Sequence, residues 1–107
     1  HTLHVEGLSN KEFLRKYTEG FEKFLPYLLG EIDGTKKDAN WAAEICNISS
    51  KKIKELAHKL SSKRSMISVS WSLTRQDHGE QPFWMAIMLL FGTGQLAKLG
   101  KHWKVFK

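Results

Sequence analysis

The sequence predicts a mostly helical α/β fragment, with about five helices and one short strand belonging to a larger parallel-sheet domain. Three features carry that prediction. Through about the first sixty residues, apolar side chains recur at helical spacing behind Asn, Asp and Ser caps. Met66-Ile67-Ser68-Val69-Ser70 then alternates apolar with small polar residues, as a half-buried strand does. Finally, Phe83, Trp84, Met85, Ile87, Met88, Leu89, Leu90 and Phe91 cover every face of one helix, which marks a helix packed on all sides inside something larger.

Each element has a local reason. Ser9 or Asn10 caps a first helix, with Glu12 in its first turn and Phe13, Leu14 and Tyr17 at helical spacing; Gly20 is expected to end it. In a second helix, Phe21, Phe24, Leu25 and Leu28 fall at i, i+3, i+4 and i+7, Pro26 predicts a shortening or a kink, and Gly30 closes it. Residues 31–38 are polar with an Asp33-Gly34 turn signal and read as an exposed loop. Asp38 then caps a short helix with Trp41, Ala42 and Ile45 on one face. Ser49 or Ser50 caps an amphipathic helix whose stripe is Ile53, Leu56, Ala57 and Leu60, with Lys51, Lys52, Lys54 and Lys59 on the wet side. Residues 61–64 link it to the strand, and Pro82 suits the first turn of the last helix, where its missing N–H costs nothing. A single strand cannot make a sheet, so residues 66–70 need neighbours from a larger protein or from a second copy of the chain.

Length and composition bound the function. At 107 residues the chain fits one domain, and about two-thirds of its unfolded surface could be buried at that size. It begins at His1 without an initiator Met, inside a helical pattern, which reads as a piece of a longer protein. The formal charge is +6, but residues 92–107 hold Lys98, Lys101, Lys104 and Lys107 with no acid, leaving +2 for the rest. A near-balanced body is a weak footprint for nucleic acid. Cys46 is the single cysteine, which excludes an internal disulfide or a Cys-rich metal site; among Ala42, Ala43, Ile45 and Ile48 it reads as a buried, inert thiol. No signal peptide is visible, and the apolar run 83–91 falls short of the roughly twenty residues that cross a bilayer.

Chemistry concentrates between Ser70 and Met85. Two indoles, a guanidinium, two carboxylates, an imidazole and a helix start share sixteen positions where a strand, a polar turn and a buried helix meet. Ligands of open α/β sheets bind beyond the carboxyl ends of strands, where side chains and helix N-termini converge. Trp71 can pack flat on a planar ligand and donate one N–H, Ser72 can donate at close range, and Arg75 can pair with anionic groups. The plainer alternative is that Trp71 is core and Arg75 pairs with Asp77 or Glu80. A loop histidine such as His78 is more often structural than a ligand or a base. Asp77 and Glu80, beside Arg75, read as solvated or ion-paired and carry no catalytic assignment.

This block resembles the Trp-Ser-Leu-Gln-Arg-Gln-x-His-Gly-Glu-Gln-Pro-x-Trp-Met segment of molybdopterin oxidoreductases of the dimethyl sulfoxide, trimethylamine N-oxide and biotin sulfoxide reductase group, with Thr74 where Gln is usual. The runs His1-Thr2-Leu3, Phe13 to Phe21 and Phe24 to Gly30 are similar to the same family, so residues 1–91 match in order as an internal fragment of the catalytic region. The resemblance implies a molybdenum bis(molybdopterin guanine dinucleotide) in the parent enzyme, none bound to the fragment, and oxygen-atom transfer from an S-oxide or N-oxide substrate. It implies that Trp71, Ser72 and Arg75 line the cofactor and the active-site funnel, with His78 and Gln76 bonding the second pterin or holding the loop. The metal's serine ligand lies upstream in this family, so neither Ser70 nor Ser72 takes that role, and the chain supplies no catalytic or metal residue. The fragment is then inactive alone, partnered by the remainder of the parent, prone to self-association, and periplasmic, with the cytoplasm as the alternative.

Where the family continues with Gly-Gln-Ile-Gly-Leu-Pro-Gly-Gly-Gly, this chain departs, and residues 92–107 read as a divergent basic tail. A frameshifted or truncated reading frame accounts for the loss of motif better than a selected tail with Trp103 and Phe106 between lysines. The competing function is a free-standing basic helical domain binding nucleic acid or anionic membrane through residues 92–107. A scaffold piece without a ligand is a third reading.

Overall fold

The computed structural model describes residues 1–94. Six α-helices run in order: α1 (Thr2–Val5), α2 (Lys11–Tyr17), α3 (Phe21–Leu29), α4 (Ala39–Cys46), α5 (Ser50–Ser62) and α6 (Gln81–Thr93). A 3₁₀ turn, Trp71–Arg75, precedes α6. The basic tail lies outside the described residues beyond Gly94.

Three of the expected caps form. The Asn10 side chain accepts from the Phe13 N–H at 2.9 Å, Asp38 accepts from the Asn40 and Trp41 N–H groups at 3.0 and 2.9 Å, and Ser49 accepts from the Lys52 N–H at 3.4 Å. Each satisfies donors that the first helical turn leaves without partners. Gly20 departs from expectation: α2 ends at Thr18, whose hydroxyl donates to the Leu14 carbonyl at 2.6 Å, and Gly20, at φ 82°, instead opens α3. Pro26 is accommodated inside α3, which runs on to Leu29. Gly30 closes it at φ 80°, where a Cβ would lie 2.6 Å from the Lys36 nitrogen.

That close approach folds the 31–38 loop back on α3. The Lys37 N–H donates to the Leu28 carbonyl at 3.1 Å. Its ammonium bonds the Asp33 carboxylate and the Thr35 carbonyl, and lies 4.7 Å from the Tyr27 ring centre and 5.7 Å from that of Trp41. The loop is exposed at residues 31–36, as its composition suggests, but the Lys37 side chain is only 8 % exposed.

The strand does not form. Among the described residues there is no strand, and 64–70 carry no regular structure. The alternation survives nonetheless: Ser65, Ile67 and Val69 are half-buried while Met66, Ser68 and Ser70 are exposed, and Ser70 is extended at φ −78°, ψ 140°. A strand without a neighbour has no ladder to join, so the period-two pattern persists in an unpaired segment. The observed fold is therefore helical, with α1 and the 3₁₀ turn as elements the sequence did not mark. α1 has four residues and no side-chain cap, and Trp71–Arg75 read as part of a polar turn.

The interior is small. Leu3, Phe13, Leu14 and Ala39 are the buried apolar residues, with Thr93 buried beside them. α1 packs on α5 and α6, α2 on α6, and α4 on α5. The Phe13 ring stacks at 5.9 Å from that of Phe91, and the backbone N–H of Asn10 donates to the Gly92 carbonyl at 2.9 Å. His58 of α5 pairs with Glu6 at the end of α1. In contrast to the expected fully packed helix, α6 leaves Trp84 62 % exposed and Met85 and Ile87 half-exposed. Cys46 is likewise exposed rather than buried; its thiol donates to the Ala42 carbonyl at 2.9 Å. The radius of gyration, 14.9 Å, exceeds the roughly 13 Å of a compact domain of this length.

Two outcomes follow from this packing. Leu14→Ala is expected to lower stability by about 2–5 kcal/mol, and Trp71→Ala to stay within about 0.5 kcal/mol, both read by denaturant unfolding. The hydrogen bond from Lys37 holds the Asp33 carboxyl below the ordinary carboxylate value, helped by the Thr35 N–H. A depressed native value stabilises above the unfolded pKa and is lost as pH falls through the native one. Protection of the Lys37 amide against hydrogen exchange, taken relative to its intrinsic rate at each pH, should therefore fall on acidification below about pH 4, and Asp33→Asn should remove that pH dependence.

Candidate functional site

Backbone and hydroxyl bonds shape the segment from Ser70 to Pro82. The Ser70 hydroxyl accepts from the Ser72 N–H at 3.3 Å and shares a 2.8 Å hydrogen bond with the Ser72 hydroxyl. The Leu73 N–H donates to the Ser70 carbonyl at 3.3 Å, and the Thr74 hydroxyl donates to the Trp71 carbonyl at 2.8 Å. These bonds wind Trp71–Arg75 into the tight 3₁₀ geometry, with Leu73 half-buried beneath it.

The chain then reverses through residues 77–80. The Gly79 N–H donates to the Gln76 carbonyl and the Gln81 N–H to the His78 carbonyl, each at 3.1 Å. His78 takes a left-handed conformation at φ 54°, which is uncommon for a residue with a side chain. Gly79 is buried against the 3₁₀ turn, where a Cβ would lie 2.3 Å from the Leu73 carbonyl oxygen and 2.8 Å from the Thr74 Cα. Only a glycine allows two backbones to approach so closely. Pro82 stands in the first turn of α6, as its ring requires.

The four predicted cofactor-contacting residues thus sit together on one surface loop. Trp71 is 84 % exposed, so it is not core. Arg75 is exposed, and the ion pairs among the described residues do not include it, so it is not held by Asp77 or Glu80. Ser72 presents a hydroxyl that shares one proton with Ser70. His78 is exposed, 3.7 Å from the Asp77 carboxylate, itself almost fully in solvent. Gln76 follows the 3₁₀ turn in an extended conformation. The loop therefore offers one flat apolar face and a guanidinium, an imidazole and a hydroxyl with few internal partners. That donor set suits a planar, anionic ligand. Among the described residues, no three His, Cys, Asp or Glu side chains converge as metal ligands.

Gly79 is the residue that reasoning from the sequence passed over. Its signal was the His78-Gly79 dipeptide inside a polar turn, where a glycine marks a close backbone approach.

Residues 31–107 match the family described as molybdopterin oxidoreductase. The chain is 50 % identical over 101 residues to a trimethylamine-N-oxide reductase of Pasteurella multocida. It is 48 % identical over 100 residues to a dimethyl sulfoxide/trimethylamine N-oxide reductase of Rhodobacter capsulatus, and 45 % over 100 to trimethylamine-N-oxide reductase 1 of Escherichia coli. In each case the similarity covers 94 % of this chain and 12 % of the relative, so the chain spans about an eighth of their length. With both the family match and the identities extending through the Ser70–Met85 block, the chain belongs to the molybdopterin oxidoreductase family.

Proposed function

We propose that this chain is a segment of a molybdenum-dependent N-oxide or S-oxide reductase, in which it forms part of the wall around a bis(molybdopterin guanine dinucleotide). The observation that carries this reading is an indole and an unpaired guanidinium held on one preformed surface loop, in a chain 50 % identical to a trimethylamine-N-oxide reductase. The bound molybdenum pterin supplies oxygen-atom transfer in the longer enzyme. This chain's residues bind and orient: Trp71 packs on a flat ring, Arg75 pairs with pyrophosphate or oxide oxygens, and Ser72 and His78 donate to polar edges. The segment does no chemistry by itself.

On the same reading, residues 66–70 complete an edge of a parallel sheet supplied by the rest of the polypeptide, which gives their alternation a ladder to join. The exposed faces of Trp84, Met85 and Ile87 are covered by that same polypeptide, and the isolated chain self-associates through them. Nothing in the helices requires a membrane: among the described residues no helix is long and apolar enough to cross one. We place the enzyme in the periplasm.

The test uses the complete reductase carrying this segment. Arg75→Ala removes a charge-assisted hydrogen bond worth about 1.5–3 kcal/mol, so molybdenum and guanine nucleotide content after gel filtration should fall by about tenfold or more, together with trimethylamine N-oxide reduction by a reduced dye. Trp71→Ala should act in the same direction. Full cofactor content in both variants would overturn the assignment. Gly79→Ala should lower cofactor retention without touching a ligand, by displacing the 3₁₀ turn at a cost of about 1–3 kcal/mol in stability. Cofactor occupancy and thermal unfolding, read together, check it.

A further inference from the structure

A cleft of about 450 Å³ opens between α1, α2 and α3, far in sequence from the Ser70–Pro82 loop and sharing no residue with it. Its volume lies within the range of about 300–1,000 Å³ typical of small-molecule sites. Leu14, Phe21 and Leu25 supply an apolar lining, the first buried and the other two half-buried. Lys11, Arg15 and Glu22 supply exposed charges at the same cleft. Among the described residues, none of those three side chains takes part in an ion pair.

The fourth wall is the His4 ring, set edge-on to Phe21 with ring centres 6.2 Å apart. Its Nδ1 is sealed from solvent without a hydrogen-bond partner. The Thr18 hydroxyl, also at the cleft, is already committed as a donor to the Leu14 carbonyl.

We propose that this cleft binds an organic monocarboxylate with an apolar body. The Arg15 guanidinium, one helical turn from Lys11, presents the fork that a carboxylate accepts bidentately. Leu14, Phe21 and Leu25 take the hydrocarbon. Two cations set against Glu22 leave one net positive charge, which matches a monoanion and disfavours a phosphate dianion beside the glutamate. A neutral apolar molecule would leave that net positive charge unanswered. The proposal is independent of the molybdenum pterin reading, since it uses none of the same residues.

The test is a titration of the complete reductase carrying this segment, with the segment alone isotopically labelled, against 4-phenylbutyrate and, separately, neutral 4-phenylbutanamide, followed residue by residue by NMR. Expected are saturable shifts at His4, Arg15 and Phe21 with the acid, and binding of the amide weaker by about tenfold or more, the value of one charge-assisted hydrogen bond. Arg15→Gln should weaken the acid by a similar factor and leave the amide unchanged, with Lys11→Gln as the second variant. Should either variant fail to fold, the acid and amide comparison on the unsubstituted chain still decides. Equal binding of acid and amide, shifts centred on α6, or no saturable binding would each overturn the proposal.

Discussion

Asn10 is the residue on which the arrangement of this chain turns. Its side chain caps α2 through the Phe13 N–H, its backbone N–H bonds the Gly92 carbonyl near the end of α6, and its amide fills the space beside Gly94, where a Cβ would lie 2.6 Å from Nδ2. One residue therefore starts a helix and ties it to the far end of the described residues. The Phe13–Phe91 stack and the buried Thr93 close around the same junction, with the Thr93 hydroxyl donating to the Leu89 carbonyl at 3.0 Å. Such a node combines a cap, a backbone hydrogen bond and close packing, each small alone and mutually dependent.

Around that node the apolar surface is poorly closed. Among the described residues only four apolar side chains are buried, while Val5, Ile32, Ile45, Leu56, Met66, Trp71 and Trp84 all stay more than half exposed. Scattered exposed apolar residues are ordinary, but an α6 that is apolar all round is not the helix of a free-standing domain. The chain spans 12 % of the relatives it matches, and on the reading proposed above its remaining contacts belong to a longer polypeptide. The same reasoning explains why residues 66–70 keep a strand's alternation without a strand's hydrogen bonds.

Much of this was legible in the sequence. Local signals carried: the Asn10, Asp38 and Ser49 caps, the Gly30 stop and the Pro82 start are each dictated by backbone chemistry within a few residues. The signals that misled depend on distant contacts. Cys46 sits among apolar residues in sequence yet is exposed, and the strand expected at 66–70 meets no pairing partner among the described residues. At the loop, Trp71, Ser72, Arg75 and His78 were singled out from residue type and family resemblance, and what the structure adds is that all four are exposed on one loop. Gly79 was not, since a hydrogen atom in place of a side chain announces itself only through what would collide with it.

That collision has a consequence for how a ligand is captured. Because the 77–80 reversal rests directly on the 3₁₀ turn, the contour of the loop is templated by its own main chain rather than by anything seated on it. A surface already in shape loses little conformational freedom when it is occupied, so more of each contact's energy is left for affinity. On the reading proposed above, the order of assembly becomes simple: the peptide framework sets before a prosthetic group arrives, and loading resembles a key entering a cut lock more than the moulding of soft wax.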